Sequence, residues 1–421
     1  MADPSYILTA RQEIRRARRS ASGWKKDAGT VRVNAGSSNT TFHDTFSVER
    51  PYHGVQVTMF NADPAAQITG ATAAFAPSAN IATNFYTPSA GLSALTQFTF
   101  PSTVIPVAQG LAGSAYQDVI LGSLTSYTKW VESVPRDDGG PGYLAMLRTY
   151  CAAGTGVSGN VGVQYTDMEF QTGNSAGDKI TNGGGGVFSF SQASSLAAVK
   201  FLFNEPVTSV MTIGDSTVAG TYADTSSAVT GAQAAVRVAC RALSAAGAAV
   251  HFINGANSSS VATNAVANAT VEPNPLYGYL ARFLGYLASG LIPEVAVLQP
   301  WSVNNLNKYK TVGLAETNFV IAKFLEACRT YDIVPILMTP CPANGLIASD
   351  ETGRRAVVAL IKSHTQYGWP LLIDRDAYYT DYTSSTGGFK TGMSGDGIHP
   401  TRAWHIAEGT AIAVPVLAKV L

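Results

Sequence analysis

Three short stretches carry residue types that could act together on an acyl group. Gly214-Asp215-Ser216 sets a hydroxyl in a tight turn. Asp396-Gly-Ile-His399 places a carboxylate three residues before an imidazole, followed by Pro400. In a turn that spacing can put the carboxylate beneath one ring nitrogen while the other faces a nucleophile. A serine hydroxyl needs such a base, because its proton is held too tightly at neutral pH. Trp301-Ser-Val-Asn304-Asn305 adds a side-chain amide that could donate to the oxyanion of a tetrahedral intermediate. Each stretch also has an ordinary alternative as a turn or a helix cap. Their joint chemistry, nucleophilic hydrolysis of an ester, requires a fold that brings all three to one edge.

The segment after Asn204-Glu-Pro206 supplies such a fold. Apolar strands are expected at 207–213, 249–253, 294–298, 334–338 and 370–373, and helices at 231–246, 276–288, 314–330, 354–364 and 402–421. Near-continuous apolar strands joined by helices imply a parallel sheet covered on both faces. Such sheets carry their functional loops at the carboxyl ends of the strands. Ser216 follows the first strand, Asn304 follows the third, and Asp396 and His399 come after the fifth, just before the last helix. All three stretches therefore fall on one edge.

The preceding half has a different pattern. Between 30 and 203, short alternating runs such as Gly54–Phe60 and Gly162–Phe170 are separated by Gly, Ser, Asn and Pro clusters. This is the pattern of an antiparallel sandwich or jelly roll, with Gly183–Gly186 as a loop tip. Residues 1–29 hold a basic run, Arg15, Arg16, Arg18, Arg19, Lys25 and Lys26, read as the solvated face of a helix with a docking segment as the alternative. The chain is thus divided into 1–29, an all-β domain over 30–203 and a catalytic domain over 204–421. A length of 421 residues agrees with two cores, since single cores stop growing at roughly 250–300 residues.

Composition narrows the function classes. With 46% apolar and 13% charged residues the chain is a folded protein. Its 28 basic and 28 acidic residues cancel, so no global field favours nucleic acid or an anionic membrane. No run of 18 apolar residues is present, and the first residues lack the apolar core and small-residue cleavage site of a secretory signal. The expectation is a chain without its own export signal, acting outside the cell as a mature or virion-associated form, or else cytoplasmic. Cys151, Cys240, Cys328 and Cys341 are scattered without C-x-x-C spacing, and all four read as small buried hydrophobes. The chemistry calls for no metal and no cofactor. His251, His405, Asp374 and Asp376 read as packing or capping residues.

Over roughly Val207–Leu421 the three stretches together resemble the SGNH (GDSL-like) hydrolase superfamily. The resemblance implies a flavodoxin-like α/β domain of three layers with a five-stranded parallel sheet. It also implies Ser216 as nucleophile, His399 as base and Asp396 as its partner. Asn304 matches the oxyanion amide of the third block, here Ser302-Val303-Asn304-Asn305 where the family has Gly-x-Asn-Asp. The second block normally ends in a glycine whose N–H joins the oxyanion hole. In Asn254-Gly-Ala-Asn-Ser-Ser-Ser260 the best register puts Ser259 there, with Gly255 as the alternative. The Ser216 N–H completes the hole. Trp301 and Asp215, flanking the amide and the nucleophile, are candidates for contact with substrate, and simple packing is the alternative for Trp301.

Segment Thr40–Ala79 resembles the β-rich domains that precede SGNH domains in some two-domain carbohydrate esterases. It implies an O-acetyl esterase acting on an acetylated polysaccharide or other glycan, an enzyme type shared with phage tail-associated deacetylases. Two alternatives stand beside it: a lipase or acyl-thioesterase of the same superfamily, and a non-catalytic glycan-binding virion protein with a degenerate hydrolase domain.

Overall fold

A computed structural model describes residues 27–32, 40–60, 69–70, 72–78, 96–98, 124–130, 132–135, 142–152, 173–176, 189–190, 197–222, 233–256, 261–262, 278–288, 292–309 and 313–421. Five strands, here β11 (Thr208–Ile213), β12 (Val250–Asn254), β13 (Val295–Leu298), β14 (Val334–Met338) and β15 (Leu371–Ile373), form one parallel sheet in the order β12-β11-β13-β14-β15. That is the 2-1-3-4-5 order of flavodoxin-like folds, as expected. All residues of β11 to β14 are buried, because helices cover both faces of the sheet.

Side chains alternate between two cores along each strand. Met211, Ile213, Leu298 and Leu337 face one core together with α3 (Gly278–Ala288), α5 (Leu314–Thr330) and α6 (Ala348–Ser363). Val210, Val297, Ile336 and Met338 face the other, against α2 (Ala235–Ala245) and the carboxyl-terminal turn α9 (Val414–Leu417). The chain runs from β11 outward to β12 and then reverses to β13. Crossovers of one hand therefore place α2 on one face and α3, α5 and α6 on the other.

Several boundaries differ from expectation. Helix α6 begins at Ala348 rather than 354, running straight through Gly353 because Glu351 pairs with Arg354 and Arg355 one turn on, at 2.7 Å each. The last helix is broken: α8 (Arg402–Glu408) passes through a π turn at 409–413 before α9. Three short helices arise where loops were expected, α1 (Ser216–Ala219), α4 (Val303–Tyr309) and α7 (Arg375–Tyr379). Residues 27–29, assigned to the basic helical segment, open a strand instead. Residues 1–26, the run Gly162–Phe170 and Gly183–Gly186 lie outside the described residues. Cys240, Cys328 and Cys341 are buried, as expected.

The preceding half is built from two antiparallel sheets, as its alternating runs require. One orders β1 (Asp27–Arg32), β10 (Ala197–Phe203), β3 (Tyr52–Phe60) and β6 (Leu124–Trp130). The other orders β5 (Thr96–Phe98), β4 (Thr72–Ser78), β7 (Tyr143–Cys151), β2 (Thr40–Val48), β8 (Gly173–Ala176) and β9 (Ser189–Phe190). Tyr52 and Phe201 of the first sheet, 5.1 Å apart between ring centroids, meet Phe75 of the second at 6.1 and 6.5 Å. The Tyr52 hydroxyl also donates to the Leu144 carbonyl at 3.0 Å. Tyr52 is thus a core residue.

A buried acid joins this half to the parallel sheet. β12 is an edge strand, and an open edge exposes unpaired N–H groups. Glu49, just after β2, accepts from the Phe252 N–H of that edge at 3.0 Å. The same carboxylate contacts His251 Nδ1 at 2.9 Å and Arg237 Nε at 3.3 Å. Burial pushes the Glu49 pKa up, but Arg237, His251 and Arg241 together outweigh it and hold the carboxyl at about 2, below its ordinary 4.5. His251 is therefore a packed histidine, as expected, with an ionic partner that its strand position does not disclose. A carboxyl held below its unfolded pKa stabilises the fold above that unfolded value and loses the contribution as pH falls through the folded one. Glu49→Ala should cost roughly 3–5 kcal/mol at neutral pH, the range for breaking a buried pair. Urea unfolding of Glu49→Gln and the parent should differ most above pH 4.5 and converge as pH falls toward 2.

Candidate active site

The nucleophile stretch leaves β11 at its carboxyl end. Gly214 is required there by space: a Cβ on it would lie 2.6 Å from Val218 Cγ2. Asp215 caps α1, its Oδ1 accepting from the Thr217 N–H at 2.9 Å and the Thr217 hydroxyl at 2.7 Å. Ser216 is the first residue of α1, so its N–H is among those that a helix start leaves without an intrahelical acceptor.

Asp215 was a candidate for substrate contact, and the structure turns it inward. Only 1% of it is exposed, and its Oδ2 accepts from Gln299 Nε2 at 2.8 Å and the Ser302 hydroxyl at 2.6 Å. Those partners follow β13, so the carboxylate ties the turn after β11 to the turn after β13. This is the point where the strand order reverses, the place such sheets use for ligands. Ser302 Oγ in turn accepts from the Asn304 N–H at 3.1 Å. Asn304 is half-buried near the start of α4, while its neighbour Asn305 is wholly buried with its amide donating to Glu316 at 3.2 Å. Trp301 is likewise wholly buried among Met211, Ile213 and Leu298, so it packs the core and does not line a pocket.

The acid and base come from a turn between α7 and α8. Gly397 there has φ +77°, and a Cβ would strike Asn344. Asn344 N–H donates to the Gly397 carbonyl at 2.7 Å and pins the turn. Within it the Asp396 Oδ1 accepts from the N–H groups of Ile398 and His399 at 2.9 and 2.8 Å and from Ser394 Oγ at 3.2 Å. Burial raises the Asp396 pKa, but the His399 ring and the N–H groups of His399 and Ile398 outweigh it and leave the carboxyl at about 2. The ionised Oδ2 meets His399 Nδ1 at 2.7 Å, and His399 Nε2 meets Ser216 Oγ at 2.8 Å. A carboxylate can only accept, so Nδ1 carries the proton and Nε2 is left to accept from the serine hydroxyl. The structure thus brings Ser216, His399 and Asp396 into one hydrogen-bonded line.

The second-block candidates part company. Gly255 N–H donates to the Thr212 carbonyl at 2.9 Å, continuing the β11–β12 ladder, so it faces the sheet and not an oxyanion. Ser259 lies outside the described residues. Asn254, which sequence reasoning passed over, is buried, with its amide donating to the Ala219 carbonyl at the end of α1 at 3.1 Å. Asp374 caps α7, accepting from the Ala377 N–H, and Asp376 accepts from Arg354 at 2.7 Å. His405 is no rival base. Burial and then the Arg375 charge lower its pKa to about 3, and its Nε2 donates to the Thr221 carbonyl. Among the described residues, no group of three or more His, Cys, Asp or Glu stands where it could hold a metal ion, and no helix is long and apolar enough to cross a membrane.

No family model matches the chain, and no curated protein does. Among solved structures it is similar to a family two carbohydrate esterase from Clostridium thermocellum in complex with cellohexaose. The identity is 13%, over 92% of this chain and 94% of that one, with a TM-score of 0.37. A carbohydrate acetylesterase family member from Sinorhizobium meliloti matches at 13% identity, over 51% and 99% of the two chains, with a TM-score of 0.37. A GDSL-like lipase from Bacteroides thetaiotaomicron matches at 15%, over 51% and 89%, with a TM-score of 0.33. At these TM-scores the site rests on its own distances.

Asp396→Asn tests the tautomer. The amide would present an N–H to Nδ1, moving the ring proton to Nε2, where it opposes transfer from Ser216. Hydrolysis of p-nitrophenyl acetate should fall roughly 10⁴-fold without loss of fold. Retention of activity would show that Asp396 does not set the ring.

Proposed function

We propose that this chain is a serine esterase of the SGNH hydrolase type that removes O-acetyl groups from a glycan through an acyl-enzyme. The observation that carries the reading is the line Ser216 Oγ–His399 Nε2–Asp396 Oδ2, at 2.8 and 2.7 Å, at the carboxyl edge of the parallel sheet. Ser216 attacks the ester carbonyl as His399 Nε2 takes its proton, and Asp396 stabilises the imidazolium. The oxyanion is received by the Ser216 N–H, the Asn304 side chain and a second-block N–H, for which Ser259 is the remaining candidate. As the tetrahedral intermediate collapses, His399 protonates the leaving sugar oxygen, which departs as a hydroxyl. Water, deprotonated by the same nitrogen, releases acetate and frees the serine.

Two features favour a short acyl group on a polymer over a long acyl chain. The acid is 41% exposed and the base 18%, so the machinery lies close to the surface. Trp301, the aromatic beside the oxyanion segment, is spent in the core and lines no acyl tunnel. The resemblance of Thr40–Ala79 to the β-rich domains of two-domain carbohydrate esterases supports a glycan. A degenerate binding protein would have no need of an intact relay.

Acetate release from a panel of acetylated glycans tests the reading, with rates falling from acetyl to octanoyl esters. Ser216→Ala should lower turnover roughly 10⁶-fold, and Asn304→Ala about 10²–10³-fold. Equal rates for the parent and Ser216→Ala would sink it.

A further inference from the structure

The helix that carries the nucleophile is four residues long. Helices that short do not hold themselves together in water, and their last carbonyls have no following turn to bond. In α1 side chains from distant segments take two of these carbonyls, while main-chain N–H groups take that of Ser216. Asn254 takes that of Ala219. Arg375 takes that of Thr217, with Nη2 to the carbonyl at 3.2 Å, and its Nη1 donates to the Thr217 hydroxyl at 3.0 Å. The same Nη1 reaches Gln299 Oε1 at 3.3 Å, on the residue whose amide holds Asp215. The guanidinium fork thus grips main chain and side chain of the residue next to Ser216.

Arg375 is 1% exposed, and its charge is met by a carboxylate that is also wholly buried. Glu408 Oε2 accepts from Nη2 at 3.2 Å, its Oε1 stands 2.8 Å from Nε, and Tyr379 OH donates to Oε2 at 2.8 Å. Glu408 ends α8, the helix that starts three residues after His399. The pair therefore links the nucleophile's helix to the helix that follows the base. Attraction alone does not explain the pair, because an apolar replacement of equal volume often serves stability as well or better than a desolvated ion pair. An apolar pair could not aim two donors at Thr217.

We propose that Arg375, anchored by Glu408, is a positioning residue that sets Thr217 and hence the Ser216 hydroxyl within transfer distance of His399. The inference rests on the esterase reading. It makes Arg375 neither base nor oxyanion donor; its effect reaches the ester through Ser216.

Arg375→Ala would strand Glu408 without its counter-charge and threaten the fold, so gentler variants carry the test. Arg375→Lys keeps the charge but loses the fork, and Thr217→Val keeps the shape but loses the hydroxyl. In p-nitrophenyl acetate hydrolysis each should lower kcat roughly 10- to 100-fold, the scale of an ångström-sized misplacement, with KM changed by less than about threefold. Thr217→Ser should restore kcat to within about threefold of the parent. The double variant should lose less than the product of the two single losses, since both break the contact between Arg375 Nη1 and the Thr217 hydroxyl. Unchanged kcat in both singles, losses that multiply in the double, or a change confined to KM would overturn the assignment. Ser216→Ala run alongside separates the two claims. If it is inert while Arg375→Lys and Thr217→Val run at full rate, only the positioning role fails. If it hydrolyses the ester as fast as the parent, the esterase reading fails and takes the role with it.

Discussion

At the place where the parallel sheet reverses its strand order, one buried carboxylate holds two loops in register. Asp215 accepts from Thr217 on its own turn and from Gln299 and Ser302 on the turn after β13. A carboxylate removed from water is tolerated only when its lone pairs are met. The turns after β11 and β13 must therefore close on each other for the sheet's edge to form. The residue after this carboxylate is Ser216, and the residue whose N–H bonds Ser302 is Asn304. A single structural acid thereby fixes how the nucleophile and the amide segment sit together.

The acid and base are placed by a separate device. Asp396 gathers two main-chain N–H groups of its own turn, and Asn344 holds that turn from the loop after β14. With its carboxyl at about pKa 2, Asp396 stays ionised at neutral pH, so the tautomer of the His399 ring is fixed in advance. The two devices meet at the 2.8 Å contact between His399 and Ser216, across 183 residues of sequence. That contact is as exact as the packing beneath it, which gives buried groups such as Arg375, Glu408 and Asn254 their importance.

The sequence disclosed what local pattern can disclose. Apolar strands joined by helices foretold the five-stranded sheet, and motifs placed after strands one, three and five foretold a common edge. The third-block pattern chose Asn304 over Asn305 as the amide; the structure commits the Asn305 amide to Glu316 and leaves Asn304 half-buried. Pattern failed where a residue's role is set by a distant partner. Trp301 read equally as a pocket residue beside Asn304 or as simple packing, and the core beneath claims it. Gly255 stood as the alternative to Ser259 for the second-block donor because of its residue type, yet the β11–β12 ladder uses its N–H. Arg375 and Glu408 left a faint signal, since such residues are almost never fully buried unless paired. Their separation of 33 residues gives no spacing to read.

The central claim is that His399 and Asp396 have made Ser216, and no other serine, nucleophilic. Incubation with diisopropyl fluorophosphate followed by peptide mass mapping tests it directly. The account predicts a single diisopropylphosphoryl adduct on Ser216 that His399→Ala abolishes. An unmodified Ser216, or an adduct on another residue in its place, would contradict it.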